Sequence, residues 1–401
     1  MEIQRFSIAG QVYEAQDGRL QALLAQMHGS TERPRCQCVP GGVEMYIARH
    51  QQCFLIKRMP QTGGQHHPSC PSWEPEAHQS GLGELMGDAI IENTSGTAEL
   101  RADFSWTRVS GRSHARGESH AFGKVKTVRR GMSLRALTHF LFERAGFNRW
   151  TPGMAGKRGQ GVLHKYLLEA ASKMIVRGEP LVKRLYVPEQ FNEASKVDAA
   201  RRRREKLAVL YPRDGHTPLA LVLGEYKHCE ATASGQRLWI RHMPDVPLLL
   251  ANELWARLER KYAAYFDALG ADTKFRPKLV LTALIRTRSE HTYEIDTASL
   301  MLASEHWIPV ENAHELPLIH ALVDARRRFI KPLRYDAKNT GPFANALLLD
   351  AGTEPAPLHV ISAFMTGSER TAKEAAIAAH GARTWLWYTD EAMPPLPTST
   401  M

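Results

Sequence analysis

Apolar residues along this chain recur in short runs, and their period assigns the elements. Ile3–Ala9 and Gln11–Glu14 read as a hairpin, and Leu20, Leu23, Leu24 and Met27, set behind Asp17, read as a short capped helix. Two strand-like runs follow, Glu44–Ala48 and Cys53–Met59, around a His50-Gln51-Gln52 turn. Ala98–Thr107 is the next clear strand and Lys124–Val128 the one after it. Ser133 stands where an N-cap is needed for a helix whose Leu134, Leu137 and Leu141 share a face and which ends at Ala145-Gly146. A second amphipathic helix begins after Gly161, with Leu163, Leu167, Ala170, Ala171 and Met174 on one side and Lys165, Glu169, Lys173 and Arg177 on the other. Beyond it, strands are expected at Leu207–Tyr211, Leu219–Lys227, Gln236–His242, Lys278–Ile285, Tyr293–Leu302, Leu358–Phe364 and Thr384–Trp387. Helices are expected near Leu250–Leu269, Pro317–Phe329 and Ser368–His380.

These patterns predict an α+β protein of several units. They are an N-terminal unit with a zinc-ribbon-like hairpin (residues 1–80), a strand-rich segment (81–130), a basic helical module (131–206), a mixed α/β unit (207–335) and a C-terminal α/β unit (336–401). With 401 residues, 43% hydrophobic and 23% charged, the composition is that of a globular chain. The longest apolar runs, such as Pro218–Leu223 and Val246–Ala251, fall far short of the roughly 18–20 residues that a membrane helix needs. No membrane insertion is therefore expected. Met1-Glu-Ile-Gln-Arg-Phe6 lacks the basic and then apolar pattern of a secretory signal, so the expected location is the cytoplasm.

Cys36, Cys38, Cys53, Cys70 and Cys229 make an odd set for a disulfide framework, but four of them cluster near the N-terminus. A hairpin between the two strand-like runs brings Cys36-Gln-Cys38 beside His66-His67-Pro-Ser-Cys70 at its open end. Three thiolates and one imidazole then complete a tetrahedral, structural Zn²⁺ site of Cys36, Cys38, His66 and Cys70. His67 competes with His66 for the fourth place, and Cys53, inside a strand, is expected to be a buried small hydrophobe.

Charge is unevenly placed. The formal net charge is +10, yet residues 108–206 hold 23 Lys and Arg against 8 Asp and Glu, leaving the rest of the chain negative by 5. Within that segment stand Lys124, Lys126, Arg129, Arg130, Arg149, Lys157, Arg158 and the run Arg201, Arg202, Arg203, Arg204, with Phe147, Trp150 and Tyr166 interleaved. Cations at this density suit a phosphate backbone, and rings among them suit exposed bases, so nucleic acid, foremost DNA, is the expected partner. Trp150 is counted in that interface, although it also fits as a plug between the two helices. An acidic protein partner, with the chain as an adaptor, is the other reading of the same charge.

Gly224-Glu225-Tyr226-Lys227 closes a strand and raises an enzymatic alternative. Residues two apart share a strand face, so Glu225 and Lys227 would form the acid-x-Lys element of a restriction-like, Mg²⁺-dependent nuclease, with Asp214 as a further acid and Glu169 as a helix contribution. There is no phosphate-binding Gly-x-x-x-x-Gly-Lys-Ser/Thr loop, no Gly-x-Ser-x-Gly elbow and no His-Glu-x-x-His.

Several phrases form a recognisable set: Cys36-x-Cys38 with Met45-Tyr46, Lys57-Arg58-Met59-Pro60-x-Thr62-Gly63, Ser80-Gly81-Leu82-Gly83, Gly224-Glu225-Tyr226-Lys227, Trp307-Ile308-Pro309-Val310-Glu311-Asn312 and Phe329-Ile330-Lys331-x-Leu333-Arg334-Tyr335. Together they resemble a bacterial domain-of-unknown-function family, numbered eleven seventy-three, often carried on conjugative plasmids and integrative elements. The resemblance implies a bacterial cytoplasmic setting on a mobile element and supplies no catalytic residues. Where the family's pattern reads Lys-Gly-Leu-Arg-Tyr, this chain has Lys331-Pro332-Leu333-Arg334-Tyr335. Lys331 and Arg334 are either further phosphate contacts or surface charge.

Overall fold

In the computed structural model, residues 4–50, 52–59, 62–93, 96–109, 131–212, 215–271, 274–380 and 384–400 are described. The chain is α+β, with helices packed on several sheets. At the N-terminus, strands β1 (Arg5–Ile8), β2 (Gln11–Glu14), β3 (Arg35–Cys36), β4 (Val43–His50) and β5 (Cys53–Arg58) form one sheet in the order β2-β1-β3-β4-β5. Helix α1 (Leu20–Met27) covers it through Leu20 and Leu24. Asp17 does not cap that helix. Its Oδ1 accepts from the Arg19 backbone N–H at 2.9 Å, closing the turn before the helix instead.

Helix α2 (Leu134–Arg144) begins where expected, because the Ser133 hydroxyl accepts the Ala136 backbone N–H. Helix α3 (Gln160–Ala171) follows, while Met174 has already entered a strand, Met174–Val176. Both helices lie against a seven-stranded sheet whose longest members are Ala220–Thr232, Lys278–Ser289 and Thr292–Ala303. Alternation assigns its two faces. Ala220 and Val222 join one core with Leu279, Leu281 and Ala283, whereas Leu221 and Leu223 join another with Leu137, Leu163, Leu167 and Val280. Apolar burial on both faces is why these strands read as continuous hydrophobic runs.

A third core lies under the N-terminal sheet and takes in Ile330, Leu347 and Leu349 from the C-terminal sheet. That sheet is ordered Trp385–Tyr388, Ala356–Ile361, Ala346–Leu348, Phe329–Ile330, Arg149–Trp150. No helix among the described residues is long and apolar enough to cross a membrane.

Four local expectations differ. Leu207–Tyr211 is the end of helix Lys196–Leu207 and a 3-10 turn, not a strand, because Leu207 and Leu210 reach the same core at helical spacing. The stretch near Leu250–Leu269 is two helices, Asn252–Lys261 and Ala263–Gly270, which part at the buried Tyr262. Ala98–Thr107 splits into Ala98–Leu100 and Thr107–Val109, which pair in different sheets. Cys53 is exposed, since it begins β5 at the hairpin's closed end. The expected strand Lys124–Val128 lies outside the described residues.

Candidate metal centre

The β4–β5 ladder runs from Met45 opposite Arg58 to His50 opposite Cys53, so its open end faces the loops on either side. Cys36 ends β3, opposite Val43 of β4, and Cys38 follows it across a turn. A 3-10 turn, Gly63–Gln65, sets His66 at its C-terminal end. Gly63 permits the close approach there, for a Cβ would meet the Glu74 side chain at 2.6 Å.

Cys36, Cys38, His66 and Cys70 converge, and their ligand atoms all lie within 4.8 Å of one another. Cys36 Sγ is 3.7 Å from Cys70 Sγ, and His66 Nδ1 is 3.3 Å from Cys38 Sγ and 3.7 Å from Cys70 Sγ. A tetrahedral Zn²⁺ with ordinary bond lengths separates two thiolates by about 3.8 Å and a thiolate from an imidazole nitrogen by about 3.6 Å. The donor set and spacing therefore fit a metal such as zinc. His67 points elsewhere, its Nδ1 bonded to Ser69 Oγ at 2.7 Å, which decides between the two histidines.

The surroundings suit thiolates. Backbone N–H groups of His67 and Ser72 donate to Cys38 and Cys70 sulfurs, both at 3.4 Å, and Gln4 Nε2 reaches Cys36 and Cys70 at 3.6 and 3.7 Å. The hydrogen bond from Cys70 draws the Cys36 thiol down to about 4, and the same bond pushes Cys70 up. Four protein donors leave no open position, which is the arrangement of a structural site.

The sequence-assigned cations are placed differently from one another. Arg149 is spent on backbone carbonyls of the metal knuckle, donating to Pro71 O at 2.8 Å and to Trp73 O. Trp150 is fully buried and pairs with Phe329, so it plugs the core and offers no ring to a base. Arg158 lies over the rings of Phe147 and Trp150 and donates to the carbonyls of Gly146, Phe147 and Arg149; burial draws its pKa to about 10. On helix Lys196–Leu207, Arg203 is buried against Asp245, Arg202 grips Glu189 at 2.6 Å, and Arg201 pairs with Asp198 at 3.0 Å. Lys157 and Arg204 are exposed and make no ion pair among the described residues. Lys124, Lys126, Arg129 and Arg130 lie outside the described residues, as does Asp214.

Glu225 and Lys227 do not form an ion pair with each other. Glu225 is 7% exposed and takes Arg241 at 2.8 Å and Lys278 at 3.4 Å, while Lys227 is exposed at a register shift between Tyr226 and His228. The bulge breaks the period-two alternation on which their pairing depended. Glu169 stands 4.0 Å from Lys57, in the cavity lined by β5 and α3. Among the described residues, the cysteine and histidine group is the only cluster of three or more potential ligands.

Lys331 is not surface charge: it is 2% exposed and 3.2 Å from the equally buried Glu315. Glu315 also accepts from the Asn345 amide at 2.5 Å, and Asn345 Oδ1 accepts from the Lys373 ammonium at 2.8 Å. This buried chain has no linear motif, since its members come from four separate elements. Gly81 explains another of the phrases, because a Cβ there would sit 2.0 Å from the Arg334 carbonyl.

A family model described as a protein of unknown function, DUF1173, matches residues 6–390. No curated protein and no solved structure matches the chain.

Proposed function

The chain belongs to the DUF1173 family of unknown function, and from that premise we propose that it is a nucleic-acid-binding accessory protein of a bacterial mobile element, its N-terminal unit held together by a structural zinc ion. The observation that carries this reading is the cationic surplus of residues 108–206 left after the ion pairs are set aside. Lys157, Lys165, Lys183 and Arg204 are exposed and make no ion pair among the described residues, and Lys165 lies 5.5 Å from the centre of the exposed Tyr166 ring. A cation beside a free ring matches a phosphate next to an unstacked base. The zinc reading rests on the sulfur and nitrogen spacings of the four ligands.

The test is retention of labelled single- and double-stranded DNA by zinc-loaded protein in Mg²⁺ across a salt series. The expected result is intact DNA, with affinity falling steeply as salt rises. Replacing Lys157, Lys165, Lys183 and Arg204 together by Gln should lower the salt slope by up to about 4. Parent-like binding by that variant at moderate salt would overturn the proposal.

A further inference from the structure

Five strands of the large sheet close on themselves. Ala220–Thr232 pairs through its first half, Ala220 to Glu225, with Lys278–Ser289, and through its second half, Tyr226 to Thr232, with Gly235–Ile240. Gly235–Ile240 pairs with Met243–Leu250, which runs parallel to Thr292–Ala303, which returns to Lys278–Ser289. Numbered along the chain, the ring is 1-2-3-5-4-1, with two helices between its third and fourth strands. That is the strand order of the five-stranded, OB-type Greek-key barrel, whose second and third strands commonly face an oligonucleotide or oligosaccharide. The fold alone names no ligand, so the residues on that face must.

Alternation sorts them. Tyr226, Cys229, Leu238, Ile240, Leu248 and Leu250 face the barrel's core. Helices α2 and α3 cover the outer side of the first and fourth strands through Leu221, Leu223, Val280 and Leu284. The outer side of the second strand carries Arg237, Trp239 and Arg241, of which Arg237 and Arg241 are exposed and Trp239 is partly so. Trp239 lies opposite His228, and the two rings stack at 6.0 Å with planes 27° apart. Lys227, at the bulge that precedes His228, is exposed and makes no ion pair among the described residues. Arg237 also makes no ion pair among the described residues, and Glu230, opposite it, is held by His228 at 2.9 Å. The face thus joins a stacked aromatic pair to Lys227 and Arg237, with Arg241 beside them held by Glu225 at 2.8 Å and Glu230 as the exposed carboxylate opposite Arg237.

We propose that this outer face of the barrel is a platform for single-stranded nucleic acid, on which bases stack against Trp239 and His228 while Lys227 and Arg237 meet the phosphates. The occupant follows from complementarity: rings accept the flat faces of unpaired bases, which a duplex hides, and cations accept the backbone. The proposal rests on the nucleic-acid reading above and adds to it the strand form and the site.

The experiment titrates the full, zinc-loaded chain with a labelled oligothymidylate of about 15 nucleotides and with a duplex of equal length. Single-strand preference is expected. Trp239→Ala should weaken oligothymidylate binding by about tenfold, Trp239→Phe should retain most of it, and Arg237→Gln with Lys227→Gln should lower the salt slope by about 2. The two charge variants sit on the surface, so they report even where Trp239→Ala fails to fold. Parent-like single-strand affinity in the charge variants and in a folded Trp239→Ala, or a preference for duplex, overturns the platform. Should DNA be retained but lost only on replacing Lys157, Lys165, Lys183 and Arg204, the platform falls and the nucleic-acid reading stands. No retention of either DNA at low salt removes both.

Discussion

Arg149 donates to the carbonyl of Pro71 at 2.8 Å, one residue beyond the ligand Cys70. The same guanidinium reaches Trp73 O, and Arg328 donates to Ser69 O at 2.8 Å. Two arginines near the C-terminal sheet thus fasten the metal knuckle by its backbone. Replacing Arg149 with Ala leaves the Trp73 carbonyl without its donor in a partly buried site and the Pro71 carbonyl to water, which should cost about 1–3 kcal/mol. Urea unfolding checks the loss, and because all four ligands remain, zinc content should stay at that of the parent.

The ligand assignment makes a sharper prediction from neighbouring histidines. His66→Ala removes the Nδ1 that faces Cys38 and Cys70, whereas His67→Ala removes only a partner of Ser69. Metal analysis should find zinc lost or much weakened in the first variant and retained in the second. Chelation of the parent should lower its melting temperature, because metal binding is linked to folding of the small N-terminal unit. Equal zinc in both variants would reassign the fourth ligand.

How much of this was legible beforehand depended on whether the signal was local. Cysteine spacing with a hairpin between its halves located the cluster that could hold a metal, and Ser133 marked the start of α2, since caps and chelate loops act over a few residues. The fate of the arginines was not legible. Composition counts Arg149 and Arg158 as charge, but their donors end on carbonyls that other elements bring to them. The break at Tyr262 lacked a Gly or Pro signal; its ring is buried in the barrel's core and its hydroxyl sits 3.1 Å from Ser299 Oγ. Barrel closure was hidden for the same reason, because one strand divides its pairing between Lys278–Ser289 and Gly235–Ile240.

Glu225 tests whether the acid-x-Lys phrase is structural. Its carboxylate lies between Arg241 and Lys278, at 2.8 and 3.4 Å, so Glu225→Ala strips both cations of their counter-charge. Arg241 is more than half exposed, and water screens much of that loss. A destabilisation of about 1–2 kcal/mol is expected in urea, and Glu225→Gln should recover part of it through retained hydrogen bonds. A fully stable Glu225→Ala variant would release this carboxylate for another role.

His139 supplies a pH dependence whose sign is determined by geometry. It is 3% exposed, and its Nδ1 accepts the Tyr335 backbone N–H at 2.9 Å, which requires a neutral ring nitrogen there. Burial lowers its pKa from 6.5 to about 4, with Arg135 and Lys331 adding to the effect against Glu311 and Asp336. Below about 6.5 the unfolded chain takes up a proton that the native ring refuses, so stability from this group is complete above 6.5 and declines as pH falls toward 4. The full decline is worth about 3 kcal/mol. Urea midpoints between pH 7.5 and 4.5 should therefore fall less steeply in His139→Asn, which keeps an acceptor for Tyr335 and cannot titrate. Protonation of the metal ligands affects both proteins alike, so the difference between the two slopes isolates His139, and identical slopes would mean that the native ring takes its proton as readily as the unfolded one.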